Sequence, residues 1–336
     1  MLKHRNFGSR DQTGRRRTLM DKKTAANNNV VVELDKIRQY DNKGAHGTRG
    51  RYLEGCKRSF RIIDFKFKIQ KVENLQGKHL QYLVDEMIRS GYAPATIRTE
   101  LSALRTTYAK AGGRGRLPSN KQLGVPKGER GKEDRAWSSE EIAKAIDLAD
   151  KMGRVDVLFA LHGGAAYGFR INEVCTIRVE DVEKALTTNQ LKVTGKGGKV
   201  RAVPDKTEYQ KLVIKMYYEY AHNNHLQKGD YIISENKYRG VELQKKSIQS
   251  WIYNHREKFM DKDRAAYVEA GKKPKTSTIS FHGLRYDFAQ DLKKRLEEEG
   301  VKNVAKEVSQ SLGHNRSEAT QNYLSEIPKK RSRKKK

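Results

Sequence analysis

Cysteine is scarce in this 336-residue chain: it has only two, Cys56 and Cys175, far apart in sequence. They offer neither a disulfide framework nor metal-ligand spacing, which fits a reducing, cytoplasmic setting. There is no run of about 18 apolar residues, so no segment reads as a membrane-spanning helix. The first twenty residues, "MLKHRNFGSRDQTGRRRTLM", are basic but lack the apolar stretch of a secretory signal. The G-x-x-x-x-G-K-[ST] pattern is missing, which excludes a phosphate-cradling P-loop. No carboxylate cluster stands out as a Mg²⁺ site, and no internal repeat is visible. The aromatic stacking pattern of the common RNA-binding modules is also missing. Acid is in deficit, with 41 Asp and Glu against 70 Lys and Arg, a net charge of +29. That surplus points to a polyanionic partner: nucleic acid first, an anionic membrane surface second.

The length suffices for two or three domains. Residues 1–50 are polar and basic and read as a mobile N-terminal arm. Within it, "NVVVELDKI" fits either a short strand or a helix. Residues 51–112 turn helical. Leu80, Leu83, Val84, Met87 and Ile88 form one stripe, closed by Gly91. Pro94 suits a first helical turn, and Ile97, Leu101, Leu104 and Tyr108 form a second stripe. Arg98, Arg105 and Lys110 lie off that stripe, available to phosphates. Residues 113–136 are rich in Gly, Pro and charge and read as an interdomain linker. A second domain covers 137–327. It opens with Ser138 and Glu141 spaced as a capping box, with Ile142, Ile146 and Ala149 as its buried stripe. "VDVLFALHGGAAYGFRINEVCTIRV" should be core helix, and "LKVTGKGGKVRAVP" reads as a β-hairpin around a glycine-rich turn. The expected fold is mainly α with one small antiparallel hairpin. Residues 328–336 carry seven basic residues in nine. They read as a solvated tail or as a contact for DNA, an acidic patch or an import receptor.

Several motifs carry chemistry, and each also has a plain structural reading. In "ISFHGLRYDFAQDL", Phe281, Leu284 and Phe288 form a buried face behind Ser280, an N-cap candidate. His282 and Arg285 share another face near the helix start, where free N–H groups favour an anion. They fit a phosphate grip, or a cap-region His beside a surface Arg. In "GAAYGFRINEV", Glu173 is spaced to hold the Arg170 guanidinium, for catalysis or as a structural ion pair. Lys196 sits between glycines at the hairpin tip and can reach a phosphate, or can be an ordinary turn lysine. In "LGHNRSEATQNYL", His314 and Tyr323 are nine residues apart. On one continuous helix they would lie about 13 Å apart along the axis, on opposite faces. Gly313 and Asn315 are stop signals, and Ser317 with Glu318 reads as a fresh helix start. The sequence therefore predicts a break, with His314 at the turn and Tyr323 on the helix that follows.

The order of these pieces is the informative part. An Arg after a Gly, a hairpin Lys, His-x-x-Arg, Leu-Gly-His and a Tyr nine residues on occur in "GFRINEV", "VTGKGGKVRAVP", "FHGLRYDFA" and "LGHNRSEATQNYL". In this set the second domain resembles the catalytic domain of the tyrosine recombinases, the phage-integrase family. "GYAPATIRTELSALRTTY" resembles that family's helical core-binding domain, so the resemblance spans roughly residues 60–327. It implies a C-shaped clamp on double-stranded DNA, made by the two domains. Tyr323 would attack a phosphodiester to give a 3′-phosphotyrosyl bond and a free 5′-hydroxyl. Arg170, Arg285 and His314 would hold the non-bridging oxygens, and Lys196 would protonate the leaving oxygen. His282 would act as base toward Tyr323, and Glu173 would orient Arg170. Lys199 and Arg201 on the hairpin are further expected DNA contacts, beside Arg98, Arg105 and Lys110. No cofactor is implied, neither metal nor ATP. The implied partners are specific recombination sites, three further copies in a tetramer on DNA, and DNA-bending accessory proteins. Topoisomerase-like relaxation, telomere resolution and a non-catalytic DNA-binding regulator remain the alternatives. Residues 205–280 form a long interval for the family, ending in "AGKKPKTSTIS", and read as an insertion near DNA.

Overall fold

The structure is a computed structural model that describes residues 28–40, 46–128, 135–195, 198, 200–204, 206–234, 238–269, 279–313, 320 and 323–324. The chain divides into two compact units, Met1–Glu129 and Arg130–Lys336.

The first unit is helical: α1 (Asn28–Tyr40), α2 (His46–Phe67), a 3-10 turn at Val72–Asn74, α3 (Gly77–Arg89) and α4 (Pro94–Lys110). Leu80, Leu83, Val84 and Met87 of α3 are buried as their spacing predicts, while Ile88 stays exposed. Ile97, Leu101, Leu104 and Tyr108 of α4 are all buried, and Pro94 occupies the first turn. Two expectations need correction. Residues 28–40 of the expected mobile arm are a helix that belongs to the core. Val30 and Leu34, one turn apart, are buried in the cluster that holds Cys56, Phe60 and Ile63 of α2. The Glu33 carboxylate also accepts the Val72 backbone N–H at 2.8 Å. The expected linker likewise belongs to this unit as far as residue 128. Leu123 is buried in the same core, with Leu117 and Val125 packed against it. The Tyr108 hydroxyl donates to the Arg114 carbonyl, tying the segment to α4.

The second unit begins with α5 (Ser139–Lys151), α6 (Val155–Tyr167), α7 (Ile171–Cys175) and α8 (Val179–Thr188). The hairpin follows, with β1 (Gln190–Thr194) antiparallel to β2 (Val200–Pro204) and Val193 opposite Arg201. Then come α9 (Glu208–Asn223), α10 (Tyr238–Phe259), α11 (Lys262–Glu269), α12 (Phe281–Glu298) and α13 (Val304–Ser311). The Ser138–Glu141 capping box forms, and α6 is the apolar central helix the sequence predicts. Along the hairpin, Leu191, Val193 and Val203 face inward.

The interval read as an insertion needs correction too. Ile248, Trp251, Ile252 and Phe259 of α10 and Val213, Ile214 and Tyr217 of α9 are buried in the central core. These helices wall the core because apolar residues recur on them at helical spacing. Of "AGKKPKTSTIS", residues 270–278 lie outside the described residues.

Two glycines set the position of α12. Gly168 ends α6 in the left-handed conformation (φ +59°), and a Cβ there would fall 2.5 Å from the Phe288 ring. A Cβ on Gly283 would fall 2.4 Å from the Arg135 carbonyl oxygen. Both close approaches exclude a side chain. They hold the first turns of α12 against the end of α6 and against the segment that enters the unit.

Candidate active site

The site is assembled where α6 ends, α7 and α12 begin, and the chain turns after α13. Gly168 lets the backbone reverse, and the next turn delivers Arg170 as the N-cap of α7. Glu173, three residues on, is 1 % exposed. Its carboxylate accepts from the Arg170 backbone N–H at 2.8 Å and from the Arg170 guanidinium at 2.7 Å. A third donor arrives from β2: Arg201 donates to the same carboxylate at 2.9 Å. Burial alone would raise the pKa of Glu173, but Arg201 and Arg170 outweigh it and hold the carboxyl below its ordinary value.

Arg285 lies one turn inside α12 and is fully buried. Its fork donates to the Gly168 carbonyl at 2.5 Å and to the Leu312 carbonyl. It therefore joins the end of α6 to the turn after α13. Burial, followed by the charges of Arg170 and Arg201, pushes its pKa down to about 10. It still carries its charge at neutral pH. Three guanidiniums thus crowd round one carboxylate. That surplus of buried positive charge favours an anion and is relieved when one binds.

Tyr323 is the residue that closes the site. Its hydroxyl and the His282 Nε2 share a hydrogen bond of 2.9 Å. Its ring packs on Tyr286 at 4.3 Å between centroids, and the Arg285 guanidinium lies 5.8 Å from the ring centre. His282 keeps part of its surface open to solvent. Loss of hydration around the ring, then the charges of Arg285, Arg170 and Arg135, bring its pKa down to about 4. The imidazole is therefore neutral at physiological pH. With the ring proton on Nδ1, Nε2 can accept the phenol proton.

α13 ends at Ser311 and Gly313 adopts φ +63°, where the predicted break begins; its remainder, residues 314–319, lies outside the described residues. His314, Lys196 and Lys199 lie outside the described residues. Arg170, Glu173, His282, Arg285 and Tyr323 are brought together.

Three of the residues assigned to DNA contact are placed differently. Arg201 points inward, its side chain 9 % exposed, to Glu173 and the Ser311 carbonyl. Arg105 donates to the Pro118 carbonyl at 3.1 Å and to Asn120 Oδ1 at 2.8 Å, and Arg98 donates to the Pro126 carbonyl. All three hold protein oxygens. Lys110 is exposed in the last turn of α4.

Sequence reasoning missed Arg135 and Tyr286. Arg135 sits beside the start of α12 because its carbonyl packs on Gly283. No periodic signal marks that stretch. Tyr286 follows Arg285 directly, and its aromatic partner Tyr323 is 37 residues away. Among the described residues no group of three or more His, Cys, Asp or Glu side chains is placed to hold a metal ion.

The comparisons with known proteins agree with this geometry. Over 261 residues the chain is 26% identical to tyrosine recombinase XerC of Proteus mirabilis, covering 76% of each chain. Over 118 residues it is 27% identical to tyrosine recombinase XerA of Pyrococcus horikoshii, covering 34% of this chain and 38% of that one. In fold it is similar to a lambda integrase tetramer bound to a Holliday junction, with a TM-score of 0.56 at 16% identity, over 93% of this chain and 82% of that one. A lambda integrase dimer bound to a COC′ core site gives 0.55 at 17% identity, over 89% and 96%. The model of the phage integrase family matches residues 139–329, more than half of the chain, and the chain belongs to that family, the tyrosine recombinases.

Proposed function

We propose that this protein cleaves and rejoins double-stranded DNA at specific sites through Tyr323, as a recombinase or integrase. The observation that carries the reading is the Tyr323 hydroxyl, 2.9 Å from a neutral His282, beside two buried or half-buried arginines. A phenol is a weak nucleophile at its usual pKa of about 10, so it needs a base and a site rich in positive charge. The scissile phosphate is held by Arg170 and Arg285, which stabilise the charge that builds in the five-coordinate transition state. Tyr323 Oη bonds to phosphorus as its proton passes to His282 Nε2. The bond from phosphorus to O5′ breaks, and Lys196, assigned by its motif, supplies the proton to the leaving oxygen. His314 adds a donor to the phosphate. The phosphotyrosyl bond keeps the phosphodiester's energy, so rejoining needs no nucleotide. Because the guanidiniums and the lysine neutralise the phosphate, cleavage proceeds with a chelator present.

Lambda integrase occurs as a tetramer on a Holliday junction. Assembly of four copies on two DNA sites, with help from DNA-bending proteins, is the corresponding reading for this chain. A DNA-associated, cytoplasmic location goes with that substrate, and no helix among the described residues is long and apolar enough to cross a membrane.

The test is covalent capture on a randomised library of nicked duplexes. The protein should give a denaturant-resistant adduct. Tyr323→Phe, which lacks the attacking oxygen, should give none while still binding DNA. An adduct that persists in Tyr323→Phe places the nucleophile elsewhere. Relaxation of plasmid without any preferred site would make the same chemistry a topoisomerase.

A further inference from the structure

Arg201 of the hairpin makes several contacts, and cleavage as proposed above assigns it no step. It rises from β2 and is nine-tenths buried. One arm of its fork donates to Glu173 Oε2 at 2.9 Å, the oxygen that also accepts the Arg170 backbone N–H. The other arm donates to the Ser311 carbonyl, at the end of α13. Its Cδ lies 2.8 Å from where a Cβ on Gly313 would stand, so the left-handed turn at Gly313 is built against its stem. Its guanidinium also faces the Phe169 ring at 5.4 Å. Its Nε has no hydrogen-bond partner among the described residues.

These contacts tie Glu173 to the end of α13, beside the tie that Arg285 makes from Gly168 to Leu312. Glu173 fixes Arg170. Ser311 and Leu312 carry successive carbonyls at a helix C-terminus, where no intrahelical donor remains. Arg201 takes the first carbonyl and Arg285 the second. The cost of burying a second cation beside Arg285 is out of proportion to a structural cap, since a neutral donor would satisfy the carbonyl. A planar fork is what allows one residue to hold a carboxylate and a carbonyl in fixed relation.

We infer that Arg201 is a positioning residue for strand cleavage, binding no DNA itself: it locks the Glu173–Arg170 grip to the turn after α13, from which the chain leads to Tyr323. This inference rests on the proposed Tyr323 chemistry. It predicts a defect in the chemical step at unchanged DNA affinity.

The experiment is single-turnover adduct formation on a nicked duplex, with affinity and melting temperature measured in parallel. Wild type must form the adduct through Tyr323, and its failure to do so would sink the cleavage reading itself. Arg201→Lys keeps a cation for Glu173 but cannot span to Ser311. It should fold, bind DNA within about twofold of wild type, and form adduct ~10²-fold more slowly, the scale expected for ångström misplacement. Arg201→Met should be as slow or slower. In an Arg170→Ala background, Arg201→Lys should cost little more, because the residue acts through Arg170. A Lys variant with the wild-type cleavage rate would overturn the inference. So would a loss confined to DNA affinity, or one that adds in full to that of Arg170→Ala.

Discussion

Both units place arginines at buried or part-buried positions, yet the arginines meet different surroundings. In the first unit the pairing is one to one. Arg58 binds the buried Glu100, while Arg98 and Arg105 each bind neutral oxygens of the 113–128 segment. In the second unit Arg170 and Arg201 share a single carboxylate, Glu173, whose charge Arg285 also feels. The first arrangement gives each arginine oxygens of its own. The second gathers several cations beside one acid, and burying charge is costly in a folded chain. The chain's net charge of +29 is spread widely. What marks a phosphate site is cation density without matching acid in a place shielded from water.

The sharpest way to break this comparison is to remove one buried cation. Arg285→Ala should lower the rate of adduct formation by ~10²–10³-fold, the usual scale for losing one preorganised charge or donor. Because its fork also joins Gly168 to Leu312, some stability should be lost as well. Arg285→Lys, which keeps the charge but not the fork, separates the two effects. A rate near wild type in Arg285→Ala would mean that the buried charge serves packing alone.

A second prediction uses the depressed pKa of His282, down to about 4. The base must be neutral, so the reaction weakens only as pH falls through that value. The second-order rate of adduct formation, which reports the free protein, should stay level from about pH 8 down to about pH 5 and drop below that. The same shift bears on stability. The unfolded chain takes up this proton near its ordinary 6.5, and the folded one only near 4. Stability from this group is therefore full above about pH 6.5 and is lost as pH falls toward about pH 4. A rate that already halves at about pH 6.5 would show that neither lost hydration nor the guanidinium charges hold the imidazole's pKa down.

The residues of the site that could be read from sequence were those held by local spacing. Glu173 reaches Arg170 over three residues on one helical turn, and the Gly313 stop ends α13. The hairpin and the stripes of α3 and α4 follow from periods of two and of about 3.6 residues. What stayed hidden depended on segments meeting at long range. Arg201 looked like a hairpin surface arginine because nothing nearby in sequence announces Ser311, 110 residues on. The 113–128 segment looked like a linker because Leu117, Leu123 and Val125 have no period. Leu123 is buried in the core of the unit, and Leu117 and Val125 pack against it, through an irregular backbone. Residues 28–40 were undecided because three consecutive valines suit a strand, and only packing on α2 favours the helix.

The smallest expected effect tests the first unit. Arg105 and Lys110 both lie on α4, but the geometry gives them different tasks. Arg105 secures the 113–128 segment through Pro118 and Asn120. Arg105→Ala should therefore cost about 1–2 kcal/mol of stability, the worth of charge-assisted hydrogen bonds at a partly buried position. The salt dependence of DNA affinity should hardly change. Lys110 is exposed at the end of the helix. Lys110→Ala should reduce the slope of log affinity against log salt by about 1, as the loss of one phosphate contact does. If Arg105→Ala changes the salt slope and spares stability, its hydrogen bonds to the segment do not persist on DNA. The contrast between cations that serve the protein and cations that serve the phosphate would then have to be drawn inside the second unit alone.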